Sequence, residues 1–165
     1  MSVCGIVAQE LDPEKFERTM TGFLSPGREE ELRARFRRMA DAGVDEFVVS
    51  MDGGYALMLA GALLLWRSAE HVDVKVSCMV LWEEQAARWP ENIRNVFFAV
   101  MVFCDREIML ERRRGDGNLD RRDRYLAENC QQLLAVWDGG AGPVWRTVAL
   151  AREKGLTVWE QPLKG

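Results

Sequence analysis

The chain has 165 residues, a hydrophobic fraction of 48%, a charged fraction of 29% and a net charge of −4, which suits one globular domain spanning residues 1–165. The negative charge argues against nucleic acid and membrane surfaces as partners, and the longest apolar stretches (55–66 and 96–104) are too short to cross a bilayer. The N-terminus lacks the basic region of a signal peptide and the four cysteines lie far apart, so we expect a cytoplasmic protein without a metal or other cofactor.

Strand-like and helical segments alternate along the chain, a pattern typical of a mostly parallel sheet with helices on both faces. We predict strands over residues 2–8, 46–50, 72–81, 107–110, 133–137 and 156–159, and helices over residues 29–42, 55–68, 90–103, 119–129 and 144–154. Residues 96–103 fit a helix or a strand by pattern alone, and we favour the helix. The predicted fold class is therefore α/β, with Val48, Val76 and Val136 in interior strands.

Two glycine loops each connect a buried strand to a helix. The first contains Ser50, Met51, Asp52, Gly53 and Gly54, and the second contains Asp138, Gly139, Gly140 and Gly142. Glycines at such junctions let backbone N–H groups converge beside a helix N-terminus, which favours phosphate or another anion. Since both loops follow parallel strands, we predict that they face one another across a single cleft. The alternative is that each loop is only a tight turn whose aspartate caps the helix.

Several blocks of the sequence resemble the YpsA-like branch of the SLOG superfamily, Rossmann-type domains that also include DprA and the LOG-type phosphoribohydrolases. The similar blocks are residues 4–7, 47–54, 81–85 with Trp89, 122–125, 133–139 and 147–151. The resemblance implies a Rossmann-like three-layer sandwich, assembly into dimers or larger oligomers, and binding of a nucleotide or nucleotide-derived ligand. It also implies ligand contacts by Gly5, Glu83, Arg122 and Thr147, besides the two loops.

The chain departs from this family at both loops. Residues 142–144 read Gly-Pro-Val where the family usually has Gly-Gly-Thr, and Ala56 and Gly61 align with an aspartate and a glutamate of the family. Phosphoribohydrolases of the superfamily place a glutamate one turn into the helix after the second loop, near the glycosidic bond. Here the first acid of that helix is Glu153, roughly three turns from the loop. This spacing favours a protein without hydrolase activity.

Arginine and tryptophan side chains are further candidates for ligand contacts. The basic run at residues 112–114 is either a solvated loop or a source of phosphate contacts, and Arg122 is the favoured phosphate ligand. Trp82 and Trp145 stand at a loop or helix start, where either could stack on a base.

Three functions remain open. The favoured one is a non-catalytic binder of a nucleotide-like small molecule, acting as a sensor or regulatory protein. An N-glycosidic hydrolase acting on nucleotides is the first alternative, and acidic residues deep in the cleft would support it. The second is an oligomeric scaffold with a decayed site, which loops without open space above them would support. The apolar helix over residues 55–66 also favours a homo-oligomer.

Overall fold

The computed structural model describes residues 2–163 and contains a six-stranded, all-parallel sheet. The strands are β1 Ser2–Ala8, β2 Val44–Ser50, β3 Lys75–Trp82, β4 Arg106–Glu111, β5 Gln132–Val136 and β6 Thr157–Gln161. Their order across the sheet is β4-β3-β2-β1-β5-β6, and every neighbouring pair is parallel. Val48, Val76 and Val136 lie on β2, β3 and β5, which confirms that they belong to interior strands.

Helices cover both faces of this sheet. They are α1 Phe16–Phe23, α2 Pro26–Asp41, α3 Gly54–Glu70, α4 Glu91–Phe103, α5 Asn118–Asn129 and α6 Pro143–Glu153. Helices α1 to α4 contribute to one buried cluster, whereas α5 and α6 contribute to a second cluster on the opposite face. The predicted Rossmann-like α/β sandwich is therefore confirmed. Within residues 2–163, none of these helices combines the length and apolarity needed to cross a membrane.

Strand β1 shows how the sequence produces this layering. Cys4 and Ile6 pack on the face covered by α1 to α4, and Val7 packs on the face covered by α5 and α6. All three side chains have no exposed surface. A parallel strand covered on both faces reads as a continuous apolar run, and for this reason residues 2–8 are recognisable as a strand.

The structure differs from the sequence prediction in the first quarter of the chain and at β3. Residues 13–28, for which no element was predicted, contain a 3₁₀ turn at Pro13–Lys15, the whole of α1 and the first residues of α2. Helix α1 has eight residues and buries only Phe16 and Phe23, so its apolar period is too short to recognise. Strand β3 begins three residues later than predicted, because the Val72 N–H still donates to the Arg67 carbonyl at the end of α3.

Candidate functional site

Both glycine loops lie at the carboxyl edge of the sheet. The first loop follows β2 and the second follows β5, and these two strands flank β1. The chain order changes direction between β1 and β5, which is the position where parallel sheets open a crevice for ligands. The topology therefore brings the two loops to either side of the end of β1.

The first glycine loop is fixed to β3 by hydrogen bonds of its backbone. The Met51 N–H donates to the Met79 carbonyl at 2.9 Å, and the Met51 carbonyl accepts from Nε2 of Gln85. Gln85 is buried, and its Oε1 accepts from the Leu81 N–H at 2.8 Å. The protein itself therefore holds this loop in shape, with Gln85 as the connecting side chain.

Gly53 and Gly54 have different roles in the first loop. Gly53 has an extended backbone with φ of −176°, and a Cβ added there would meet nothing within 4 Å. A Cβ on Gly54 would lie 2.9 Å from Cδ1 of Phe16 and 3.0 Å from Cδ2 of Leu11. Gly54 therefore allows close packing at the start of α3, whereas the backbone conformation at Gly53 suits any residue.

The second loop requires its glycines for a different reason. Positive φ angles occur at Gly139 (+89°), Gly140 (+105°) and Gly142 (+137°). Residues with a Cβ rarely adopt these angles. At the start of this loop the Asp138 N–H donates to Oε1 of Gln9 at 3.2 Å, and Oδ1 of Asp138 accepts from the Leu163 N–H at 3.0 Å. The loop is thus anchored to the segments that follow β1 and β6.

Asp52 and Arg122 form an ion pair at the first loop. Nη1 of Arg122 lies 2.6 Å from Oδ2 of Asp52, and Oγ of Ser50 donates to Oδ1 of Asp52 at 3.3 Å. Burial raises the pKa of Asp52 above the ordinary carboxyl value, while the charge of Arg122 and the hydrogen bond from Ser50 oppose that rise. The Asp52 carboxylate is therefore engaged as the partner of Arg122.

The rest of the Arg122 side chain is bound within the protein. Its Nε donates to Oδ1 of Asp123 at 3.1 Å, and its Nη2 donates to Oγ1 of Thr147 at 2.8 Å. The Thr147 hydroxyl in turn donates to Oδ1 of Asp123 at 2.6 Å. The sequence predicts ligand contacts for Arg122 and Thr147, but both side chains are at least 98% buried and connect α5 to the first loop and to α6. Direct contact of either with a ligand stays a prediction.

Three helices begin near the carboxyl edge with open N-termini. The N-cap residues of α3, α5 and α6 are Gly53, Gly117 and Gly142, and within residues 2–163 no side-chain cap hydrogen bond forms at these helices. The first-turn N–H groups of such helices can bind an anion. Asp52 bonds to Ser50 and Arg122, so its interpretation as a helix cap is not supported.

A cleft of about 530 Å³ opens beside the first loop. Its walls come from the ends of β1, β2 and β3 and from the N-terminus of α5, and include Glu10, Asp52, Trp82, Arg114, Asn118 and Leu119. A second cavity of about 150 Å³ extends to Gly53 and Gly54. Residues 138–142 line neither cavity. The cleft therefore extends from the first loop toward β3 and α5, and the smaller cavity extends toward the segment after β1 and the start of α4, whereas the sequence predicts one cleft between the two loops.

Gly5 and Glu83 are predicted site residues that lie outside the 530 Å³ cleft. Gly5 is in the middle of β1, where a Cβ would lie 2.8 Å from Cδ2 of Leu126 on α5, so packing explains this glycine. Glu83 lies on the wall of another cavity, of about 730 Å³, opposite the basic run at residues 112–114. Trp82, proposed from the sequence as a stacking residue, lines both cavities.

Three side chains at or beside the cleft are not predicted from the sequence: Glu10 and Asn118, which line it, and Gln85, which holds the first loop. Asn118 is buried, and its Oδ1 accepts from the Gly115 N–H at 2.6 Å, which fixes the loop before α5. The glycines at 115 and 117 before this asparagine are a recognisable signal for a tight turn into a helix. Gln85 belongs to a block that resembles the SLOG superfamily, whereas nothing in the pattern around Glu10 distinguishes it.

Comparison with known proteins agrees with this architecture. A family model described as the YspA SLOG family matches residues 29–144, which is more than two thirds of the chain. The matched region includes the first glycine loop, Arg122 and most of the walls of the 530 Å³ cleft. A search of curated proteins finds no match.

Proposed function

Because the chain belongs to the YspA SLOG family, we propose that it binds a nucleotide or nucleotide-derived ligand at the carboxyl edge of its sheet, as a non-catalytic sensor or regulatory protein. The observation that carries the proposal is the cleft of about 530 Å³ between the first glycine loop and the N-terminus of α5. Small-molecule pockets have volumes of about 300–1,000 Å³. The cleft therefore has room for a nucleotide-sized ligand.

The chemistry around the cleft suits a phosphorylated ligand. Asn118 and Leu119, the first two residues of α5, lie in its wall, and a helix N-terminus carries roughly half a positive charge. Arg114 adds a full positive charge, and the half-buried ring of Trp82 offers a surface for a base. The carboxylate of Glu10 is an acceptor of the kind that binds ribose hydroxyls in Rossmann domains.

Two features support binding without catalysis. The Asp52 carboxylate pairs with Arg122, and the helix after the second loop has no acid before Glu153, its last residue. The resemblance implies that hydrolysis needs a carboxylate supplied by that helix near the glycosidic bond, whereas Glu10 and Asp116, the other carboxylates of the cleft, come from loops. We therefore expect no release of base when the protein is incubated with nucleoside monophosphates. Release detected by chromatography, and lost in Asp52→Asn, would favour the hydrolase alternative.

The direct test is isothermal titration calorimetry with AMP, ADP and ADP-ribose. We expect at least one of them to bind, and to bind more weakly to Leu119→Glu, because that substitution places a carboxylate in the cleft. Leu24→Glu is the matched control, since Leu24 is 49% exposed and lies outside the cleft. If none of the three binds the wild-type protein, the proposal is wrong and a scaffold with a decayed site is favoured.

We also propose that the chain forms a homo-oligomer through α3 and α4. These neighbouring helices expose Leu65, Phe98, Val102 and Phe103, each by more than half of its surface. Residues 95–103 contain no charged side chain, so a second copy related by a two-fold axis presents a matching apolar face. Sedimentation should show an oligomer that Phe98→Lys dissociates. A wild-type monomer at micromolar concentration would contradict the proposal.

A further inference from the structure

A cavity of about 730 Å³ lies between the segment after β3 and the loop after β4. Residues 82–85 and 87–89 form one wall, and Arg112, Arg113 and Arg114 form the other. The 530 Å³ cleft shares Trp82 and Arg114 with this cavity. The two openings are therefore adjacent, and one ligand can extend from the cleft into the larger cavity.

The walls of this cavity are positively charged. They contain four arginines, including Arg88, against the two carboxylates of Glu83 and Glu84, in a chain whose net charge is −4. Among residues 2–163, no side chain forms an ion pair or hydrogen bond with the guanidinium groups of Arg88, Arg112 or Arg113. Three unneutralised guanidinium groups thus border one cavity.

The arginine loop is held in place from two sides. The guanidinium of Arg114 lies 5.8 Å from the centroid of the Trp82 ring, within the range of a cation–π contact. Asn118 accepts from the Gly115 N–H at 2.6 Å and donates through Nδ2 to the Arg113 carbonyl at 3.4 Å. The backbone that carries the arginines is therefore positioned before any ligand arrives, which reduces the entropy lost on binding.

We infer that this cavity, the arginine pocket (Trp82, Arg88 and residues 112–114), binds the diphosphate or triphosphate chain of a nucleotide whose nucleoside occupies the adjoining cleft. The inference rests on the proposed function for the nucleoside half of the ligand. Guanidinium groups bind phosphate oxygens bidentately. The three unpaired arginines outnumber the two glutamates of the cavity, and this surplus of positive charge suits a chain of two or more phosphates better than a single phosphate.

A small ligand fits this pocket better than a nucleic-acid backbone does. The carboxylates of Glu83 and Glu84 stand in the same wall as Trp82, and the net charge of −4 repels a long polyanion. A diphosphate or triphosphate places its charge at the arginines alone. Affinity is therefore expected to rise with the number of phosphates, from adenosine through AMP to ADP.

The test compares inorganic pyrophosphate, AMP and ADP by isothermal titration calorimetry. The variant is the double substitution Arg112→Gln and Arg113→Gln, both at exposed positions. The control is Arg18→Gln, an exposed arginine on α1. We expect pyrophosphate and ADP to bind the double variant about tenfold more weakly or worse, with little change for AMP or for the control. Equal urea midpoints would show that all the proteins are folded.

Failure of this inference and failure of the proposed function give different results. Equal ADP and pyrophosphate affinities in the wild type and the double variant would overturn the arginine pocket and leave the proposed function standing. Pyrophosphate binding that needs the arginines, without binding of any nucleotide, would overturn the proposed function and leave the phosphate half of this inference standing. Failure of the wild type to bind any of the three ligands would overturn both.

Discussion

The guanidinium of Arg122 and the carboxylate of Asp52, 70 positions apart in the sequence, lie 2.6 Å from each other. The Arg122 side chain is 1% exposed and the Asp52 side chain 19%. This pair fixes the first glycine loop to α5, and the contacts of Arg122 with Asp123 and Thr147 extend the network to α6. The buried guanidinium of Arg122 therefore connects the first glycine loop, α5 and α6 near the carboxyl edge of the sheet.

Replacing Arg122 by Gln is expected to lower the free energy of unfolding by about 3–5 kcal/mol, because it leaves the carboxylates of Asp52 and Asp123 without their cation. Urea unfolding measures this change. Arg121→Gln is the matched control, since Arg121 is 53% exposed and lies 3.6 Å from Glu111, and it should cost no more than about 1 kcal/mol. Similar stabilities for the two variants would contradict the structural role of Arg122.

Gly5→Ala tests whether Gly5 serves packing. The new Cβ would lie 2.8 Å from Cδ2 of Leu126 and 3.4 Å from Sγ of Cys130, and overpacking of this kind costs about 1–3 kcal/mol. Gly61→Ala on α3 is the control, because a Cβ there meets nothing within 4 Å, and it should stabilise the helix by about 0.5–1 kcal/mol. The urea midpoints of the two variants, compared with that of the wild type, measure these changes in stability. A neutral Gly5→Ala would show that the core can accommodate the methyl group.

Asp105 makes stability depend on pH. Partial burial raises the pKa of its carboxyl, but the hydrogen bonds from the Val76 N–H and from Arg67, with the charge of Arg67, outweigh burial and lower the pKa below the ordinary value of 3.8. A lowered folded-state pKa means that this stabilisation is complete above the ordinary value and is lost as the pH falls through the lowered one.

The measurement is the stability difference between the wild type and Asp105→Asn in urea as a function of pH. Because the Asp105 side chain is 43% exposed, we expect a difference of about 1 kcal/mol at neutral pH, which shrinks below about pH 4. Asp73→Asn, at an exposed position, should change stability by less than about 0.5 kcal/mol. A difference for Asp105→Asn that does not vary with pH would contradict the assigned contacts.

The sequence predicts an element well when the burial of that element requires a recognisable local pattern of apolar residues. Residues 133–137 form an apolar run because β5 is covered on both faces, and the structure has a strand at Gln132–Val136. Helix α1 was missed because it buries one residue at each end, Phe16 and Phe23, and a pattern of two residues has no period. Its position is set by contacts with the start of α3, which the local sequence does not contain.

The candidate site could be predicted only in part for a similar reason. The glycine loops can be predicted because each has a strand, glycines and a helix in succession. The parallel sheet then places both loops at one edge. The partners of Arg122 could not be predicted, because Asp52 and Thr147 approach it through tertiary packing from 70 and 25 residues away. The residues around an arginine in the sequence do not distinguish a buried structural arginine from an exposed arginine that binds phosphate. The sequence therefore predicts a ligand contact for Arg122 but does not reveal Asp52, the carboxylate that lies nearest to it.

The N-terminus of α3 allows a test that separates ligand binding from folding. Gly53 is its N-cap, with an extended backbone and open space around the position of a Cβ. Aspartate is a favoured N-cap because its carboxylate accepts from the first-turn N–H groups. Gly53→Asp should therefore raise the free energy of unfolding by a few tenths of a kcal/mol while it places a carboxylate at the N-terminus of α3.

If a phosphate of ADP binds at this helix and not in the arginine pocket, Gly53→Asp should weaken ADP binding by about tenfold or more despite its unchanged or higher stability. Gly53→Asn is the matched variant, since asparagine also caps the helix but carries no charge, and it should weaken binding less. Calorimetric titration with ADP gives the affinities, and urea midpoints give the stabilities. An ADP affinity equal to that of the wild type in a stable Gly53→Asp protein would show that the phosphates bind away from α3.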